Sequence, residues 1–174
     1  MEDILLVILA SISPISELRG GIPLGLTLGL PLEIVLITAI IFNCLVFFPV
    51  FFGLELLYEK FFSKRKWVWD IMERIHKKGS KYVEKYEVLG LAIFVGIPLP
   101  FTGVWTGSAL AWLLDLDWKK SFLAVSLGVI IAACIVTAAY FFFITLVNAV
   151  SLMIAIAIMI ALLYAVYIKS KKRF

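Results

Sequence analysis

Two charged residues stand two positions apart in an otherwise uncharged stretch near the start of the chain, SPISELRGGIPL (13–24). They are Glu17 and Arg19. A guanidinium stays charged when it is buried, and its fork of N–H donors suits phosphate oxygens. A carboxyl group in a low dielectric favours its protonated form and can carry a proton. The two residues could therefore bind an anion, exchange protons, or form a structural ion pair that holds two segments together.

Glycines and prolines follow this pair and recur in a second stretch, VGIPLPFTGVWTG (95–107). Gly20 and Gly21 would let the backbone approach a headgroup closely, and we expect them to form a turn between two short helical arms. Such a turn presents free N–H groups and helix N-termini, which attract anions. Asn43, within an apolar run, could hydrogen-bond a turn or line a substrate path. The candidate residues of a substrate or proton site are Glu17, Arg19, Gly20, Gly21, Pro23, Asn43, Pro98, Pro100, Thr102 and Gly103.

The composition indicates an all-α integral membrane protein. Of the 174 residues, 63% are hydrophobic and only 16% are charged, whereas a soluble domain is about half apolar. The sequence has no metal-ligand spacing, no Ser/His/Asp set with a usable histidine and no P-loop. We therefore expect neither an enzyme nor a bound cofactor, although a proton gradient could drive transport. We expect no nucleic-acid partner, because each basic cluster adjoins a predicted span.

The lengths of the uncharged runs predict how the chain crosses the bilayer. A helix needs about 20 apolar residues to cross the hydrocarbon core, and the runs of 13 residues on either side of Glu17–Arg19 are too short. We therefore expect a re-entrant helical hairpin there, and the Pro- and Gly-rich stretch predicts a second one. The expected order is re-entrant hairpin 1 (1–32), a transmembrane helix kinked by Pro49 (33–58), a cytoplasmic amphipathic segment (59–87), re-entrant hairpin 2 (88–117), two transmembrane helices that turn near Asn148 (118–146 and 147–168) and a basic tail (169–174).

The positive charges predict the orientation. This order places 15 of the 16 Lys and Arg residues on one face, which the positive-inside rule assigns to the cytoplasm, with the N-terminus outside. A shift of 84 residues places Pro14 on Pro98 and Glu33 on Asp117. These matches predict an inverted repeat whose broken elements meet near the midplane and form the substrate site. We expect a multi-pass plasma-membrane protein that contacts membrane lipids and could form a homodimer.

The segments ELRGGIPL (17–24) and GIPLPFTGVWTG (96–107) resemble the small multidrug export protein family. More distantly, they resemble the DedA/VTT superfamily. The resemblance covers nearly the whole chain, from about Ile4 to Ile168. The DedA resemblance implies translocation of lipid-linked phosphates such as polyprenyl phosphate, with acidic and arginine residues of the hairpins handling phosphate and protons.

Glu17 and Arg19 match the first DedA-like hairpin in kind, whereas the second hairpin departs from it. Residues 88–114 contain no arginine; their polar or amphipathic groups include Thr102, Thr106, Ser108 and Trp105. A clamp made of two arginines is therefore not expected here.

Three functions remain open at this point. The first is a flippase for a lipid-linked phosphate, with or without coupling to protons. The second is proton-coupled export of cationic hydrophobic compounds, with Glu17 as the exchanged acid and the aromatic side chains as the binding pocket. The third is a membrane scaffold whose basic central segment binds anionic lipid. Arg19 separates the first two, because an anion carrier needs its charge and a cation exporter would be hindered by it.

Overall fold

The computed structural model describes residues 2–58, 60, 87–99 and 101–171, and helices are the only regular secondary structure in this part of the chain. It divides into two compact units, Met1–Thr137 and Ala138–Phe174. The predictions for the amphipathic segment, for Pro100 and for the end of the basic tail fall on residues outside the described ones. The helices are α1 Glu2–Ile12, α2 Glu17–Thr27, α3 Leu32–Leu45, α4 Phe47–Leu57, α5 Glu87–Gly96, α6 Val104–Leu113 and α7 Trp118–Lys171.

The first helical pair consists of α1 and α2, each of 11 residues, joined by a turn at residues 13–16. We expected this turn at Gly20 and Gly21, and that expectation was wrong, because both lie inside α2. Their role is close packing: a Cβ on Gly21 would come within 3.3 Å of the Val7 carbonyl oxygen and closer still to the Ser11 hydroxyl. Gly21 thus lets α2 lie directly against α1, whereas a Cβ on Gly20 would lie 2.6 Å from the Ser16 Cβ, in the turn.

Pro23 also lies inside α2. A proline in a helix removes one backbone hydrogen bond and crowds the preceding turn. Here the hydroxyl of Thr27 donates to the Pro23 carbonyl at 2.7 Å, which adds a side-chain bond in the last turn of the helix. Pro23 is therefore part of the helix and not of the turn between helices.

The second helical pair consists of α5 and α6, joined by residues 97–103. Pro98 and Gly103 lie in this loop, as the sequence predicts. Helices α2 and α6 end with the same kind of cap, at positions 86 residues apart in the sequence. The N–H of Leu30 donates to Gly25 O and that of Leu116 to Ala111 O, at 3.1 and 3.0 Å. In each case the preceding residue, Gly29 or Asp115, has a positive φ, which is the geometry of a Schellman cap.

Helices α3 and α4 form a long apolar segment with one interruption at Val46. Pro49 explains the interruption, because it cannot donate to the carbonyl of Leu45 and its ring crowds that carbonyl. The N–H of Val46 instead donates to Asn43 O at 3.2 Å, one residue short of the helical pattern. The predicted kink at Pro49 therefore corresponds to an observed break, and Leu32–Leu57 is long and apolar enough to cross a membrane.

Helix α7 is continuous over 54 residues, from Trp118 to Lys171. We expected two helices that turn near Asn148, and the structure has no such turn. No glycine or proline occurs after Gly128 in this helix, and a single Asn lowers helix propensity only slightly. The stretch Trp118–Ile160 is the second candidate membrane span, and residues 141–160, which are mainly apolar, are all exposed.

The core of the first unit brings the two helical pairs and the spanning helices together. Phe47 of α4 is fully buried and packs on Phe51 and on Phe122 of α7, with ring centroids 5.2 and 5.5 Å apart. Burying one such ring contributes about 1.5–3 kcal/mol. On the other side, α5 contacts α7 at Gly128, where a Cβ would lie 2.7 Å from the Ala92 carbonyl oxygen. These contacts fix the loop between α5 and α6.

Candidate functional site

Glu17 is the first residue of α2, and its side chain is buried, with 6% of its surface exposed. Among the residues whose burial the structure describes (2–58, 60, 88–99 and 101–160), it is the only charged residue that is buried. Its backbone has a φ of 49°, in the left-handed region that costs most residues about 1–2 kcal/mol. The backbone N–H donates to Ser13 O at 3.0 Å. This conformation ends the turn and begins α2 at the same residue.

The Glu17 carboxylate lies at the N-terminus of α6, in the second helical pair. Its Oε1 accepts a hydrogen bond from the backbone N–H of Trp105 at 3.4 Å. The first N–H groups of a helix have no partner within the helix, and the helix dipole favours a negative charge there. Glu17 thus supplies to α6 the acceptor that a capping side chain would supply.

Gly103 makes room for this carboxylate. It immediately precedes α6 and has extended backbone angles, φ −147° and ψ −163°, so its conformation does not require glycine. The space does: an added Cβ would overlap the Cδ and both carboxyl oxygens of Glu17. Gly103 was predicted as part of the turn, and the structure shows in addition that it borders the acid directly.

The Arg19 guanidinium reaches the loop that joins α5 to α6. It donates to the carbonyl oxygens of Leu99 and Thr102 and to the Thr102 hydroxyl, the last at 3.2 Å. The Thr102 hydroxyl oxygen also lies 2.6 Å from Ile97 O and 3.2 Å from the Leu99 backbone nitrogen. Arg19 and Thr102 together therefore hold the carbonyl groups that this irregular loop leaves without helical partners.

Side chains from three other places hold the C-terminal carbonyls of α1. Asn43 Nδ2 donates to Ser11 O at 2.7 Å, and the Ser16 hydroxyl donates to Ala10 O at 2.7 Å. The indole N–H of Trp105 donates to Ile12 O at 3.1 Å. The last carbonyls of a helix need such partners when they are buried. Trp105 therefore contacts the first helical pair twice, once at the end of α1 and once at Glu17.

Glu17 and Arg19 have separate partners, although they are close in sequence. The carboxylate binds the start of α6, and the guanidinium binds the loop before it. Glu17 and Arg19 therefore hold the first helical pair against the second. The negative carboxylate binds a backbone N–H, and the positive guanidinium binds backbone carbonyl oxygens. Both helical pairs depend on side chains of the other for hydrogen bonds at their broken ends.

The structure brings together four of the ten predicted site residues: Glu17, Arg19, Thr102 and Gly103. Asn43 belongs to α3 and contacts the Ser11 carbonyl oxygen at the end of α1. The remaining predicted residues serve the fold or lie elsewhere: Gly20, Gly21 and Pro23 in α2, Pro98 in the loop, and Pro100 outside the described residues.

Sequence reasoning named Trp105 only among the polar groups of the second stretch and did not place it in the site. A tryptophan two residues after the loop glycine was the available signal, because a buried indole N–H needs a partner. That partner, Ile12 O, is 93 residues away in the sequence, and no local pattern identifies it.

A family model described as "Putative small multi-drug export protein" matches residues 17–135. The matched range begins at Glu17 and includes Arg19, Asn43 and the whole second helical pair. No curated protein and no solved structure matches the chain. The family match and the two apolar helices of spanning length agree with the membrane character that the composition indicates.

Proposed function

The chain belongs to the small multi-drug export protein family, a kind of membrane transporter, and from this premise we propose that it exports organic cations in exchange for protons. In this proposal Glu17 is the acid to which the cation and the proton bind in turn. Any exchange would be secondary transport, since the sequence has no ATP-binding motif. The chemistry required is a buried carboxylate whose charge can be neutralised by either species.

The observation that carries the proposal is the environment of the Glu17 carboxylate. It is buried between two helical pairs, and the partner that the structure gives it is a neutral backbone N–H, that of Trp105. A buried carboxylate is costly in its charged form when its described hydrogen-bond partner is a neutral group. A proton or an organic cation would relieve that cost, and the two would compete because both use the same negative charge.

The position of Glu17 also supplies a means of coupling. While it is charged, the carboxylate is attracted to the N-terminus of α6, and this contact joins the two helical pairs. Protonation removes the charge and weakens the contact. We propose that this change lets the two helical pairs separate and changes the side from which the site is open. A carrier must link its loaded and protonated states to its conformation in this way.

Arg19 does not oppose cation binding in this arrangement as strongly as the sequence alone suggests. Its guanidinium donates to two loop carbonyls and to the Thr102 hydroxyl. Each of these oxygens carries partial negative charge that offsets the guanidinium locally. The positive charge is therefore directed at the loop, while the carboxylate lies at the start of α6.

The lipid-linked phosphate function has weaker support. A phosphate would use the Arg19 donors and the N-terminus of α6, as anion sites at helix ends do. Those donors already hold the loop carbonyls and Glu17, so a phosphate would have to displace both. The cation exporter leaves the Arg19 donors on the loop carbonyls, and for that reason we prefer it.

We further propose that both helical pairs are re-entrant and related by an inverted repeat in the plasma membrane, with the N-terminus outside. Helices of 10 and 11 residues are about half the length that crosses a bilayer. The matching caps of α2 and α6 support the repeat. Labelling of single cysteines introduced at Ile15 and Phe101, both highly exposed at the two connections, would test this with a membrane-impermeant reagent. Full and rapid labelling of both from one side would contradict it.

The transport proposal is tested with purified protein in liposomes that carry an imposed pH gradient. The uptake of radiolabelled tetraphenylphosphonium by wild type is compared with its uptake by Glu17→Gln. This substitution keeps the shape of the side chain but removes the group that binds and releases a proton. Glu33→Gln is the matched control, because Glu33 is exposed. We expect the gradient to drive uptake by wild type and Glu33→Gln and not by Glu17→Gln. Equal uptake by all three would refute the role of Glu17.

A second arm of the experiment separates the two transport functions. Liposomes with a fluorescent short-chain prenyl phosphate in both leaflets show how fast the inner pool becomes accessible to an external quencher. We expect no acceleration over empty liposomes. Rapid exchange that is lost in Arg19→Ala, together with no uptake of the cation, would instead establish the lipid-linked phosphate function.

A further inference from the structure

We propose that the indole ring of Trp105 is the surface that receives the organic part of the transported cation, and that this selects aromatic, lipophilic cations. This inference rests on the proposed function, and it adds a specificity-determining residue that neither the family match nor the sequence prediction assigns. Three properties of Trp105 carry it: its contact with the acid, the way its ring is held, and its partial exposure.

Trp105 is the residue that contacts the Glu17 carboxylate through its own backbone N–H. Its backbone nitrogen lies 3.4 Å from Oε1 of this buried carboxylate, and the side chain branches from the next backbone atom. A cation at that carboxylate would lie within reach of the ring, and a cation over the face of a tryptophan is attracted by the ring quadrupole. The contact thus places an aromatic residue next to the acid, and an organic cation requires both kinds of group.

A hydrogen bond from the indole nitrogen fixes the position of the Trp105 ring. The indole N–H donates to Ile12 O at 3.1 Å, at the C-terminal end of α1. The hydrogen bond uses the edge of the indole and leaves its faces for packing or binding. The side chain packs against the core but is only partly buried. A fixed ring loses little conformational entropy when a ligand binds it, which favours affinity.

A purely structural role for Trp105 makes a different prediction. In that case only the hydrogen bond to Ile12 O matters, and any residue without an indole N–H would be equally defective. If the ring binds the cation, then phenylalanine should retain much of the affinity, because it keeps an aromatic face. Leucine should lose it, because it fills a similar volume without one. The two substitutions therefore separate the two roles.

Trp112 offers a matched control in the same helix. It lies seven residues, or about two turns, after Trp105 and is also partly buried against the core. Its ring packs against Tyr58 with centroids 5.8 Å apart, and it is not among the contacts of Glu17. The same substitutions at Trp112 report the general cost of losing a large aromatic side chain from α6.

The experiment is equilibrium binding of radiolabelled tetraphenylphosphonium to the purified full chain, at a pH at which wild type binds it. The variants are Trp105→Phe, Trp105→Leu, Trp112→Phe and Trp112→Leu, and the thermal unfolding temperature of each is measured alongside. We expect Kd to rise about tenfold in Trp105→Leu and no more than about threefold in Trp105→Phe, as a cation–π contact at a desolvated site suggests. Both Trp112 variants should bind as wild type does.

Equal loss of binding in Trp105→Phe and Trp105→Leu would overturn the inference and assign Trp105 a structural role. Wild-type binding in Trp105→Leu would overturn it as well. Failure of the proposed function looks different: Glu17→Gln would then transport the cation normally under a pH gradient, whatever the Trp105 variants bind.

Discussion

Substituting alanine for Gly103 adds one methyl group next to Glu17 and so tests whether function depends on the position of the Glu17 carboxylate. The added Cβ would overlap three atoms of the Glu17 side chain, far inside the 3.0 Å that real Cβ atoms keep from their neighbours. The carboxylate must therefore move by roughly 1–2 Å, since an ordinary contact needs about 3.5 Å. That displacement is large enough to break its hydrogen bond with the Trp105 N–H, which is already 3.4 Å long.

The size of the effect follows from the bond that is lost. A hydrogen bond to a charged group contributes about 1.5–3 kcal/mol, which corresponds to roughly 10–150-fold in an equilibrium. A misplacement of about 1 Å at a reacting group costs a similar factor, on the order of 100-fold. We therefore expect Gly103→Ala to lower the rate of pH-driven cation uptake by about 10–100-fold in liposomes, while the protein still assembles in the membrane.

Gly90→Ala is the control for this experiment. Gly90 belongs to α5 of the same helical pair, and a Cβ added there meets no atom within 4 Å. Gly90→Ala should transport as wild type does and should be at least as stable, because alanine favours a helix. If Gly103→Ala also transports at the wild-type rate, then the carboxylate does not work from the position described, and the account of the site is refuted.

Three further predictions concern the contacts around the site. Arg19→Gln should lower the thermal unfolding temperature by several degrees, because the Leu99 and Thr102 carbonyls lose a charged donor; a scanning fluorimetry trace unchanged from wild type would contradict this. Asn43→Leu should cost about 1–3 kcal/mol by leaving Ser11 O without its side-chain donor, and equal resistance to urea in detergent would be inconsistent with it. Gly128→Val should impair folding, since a Cβ there lies 2.7 Å from the Ala92 carbonyl oxygen, whereas Gly53→Ala, where nothing lies within 4 Å, should not; the yield of monodisperse protein compares the two.

Local patterns in the sequence predicted that several helices would be short or interrupted. The short uncharged runs indicated short helices, and the prolines of the second stretch indicated the loop between α5 and α6. Pro49 indicated the interruption that occurs at Val46. Each of these features depends on residues within one or two helical turns, because a proline acts on the backbone next to it.

Features that depend on distant contacts were predicted poorly. Gly20 and Gly21 were interpreted as a turn, whereas both lie in α2: Gly21 provides the close approach to Ser11 and Val7 of α1, and Gly20 packs against Ser16. A glycine is compatible with either role, and only the neighbouring helix decides between them. Trp105 and its bond to Ile12 O were missed for the same reason. Asn148 was given too much weight as a helix breaker, since an asparagine without a glycine or proline nearby does not end a helix.

The most direct test of the central claim is to measure proton release when the cation binds. Purified protein in a weakly buffered solution at neutral pH is mixed with tetraphenylphosphonium, and the pH is followed with a dye. If the cation and the proton compete for the Glu17 carboxylate, wild type should release up to one proton for each cation bound, and Glu17→Gln should release none. Binding of the cation by wild type without any proton release, or equal release by Glu17→Gln, would contradict the account.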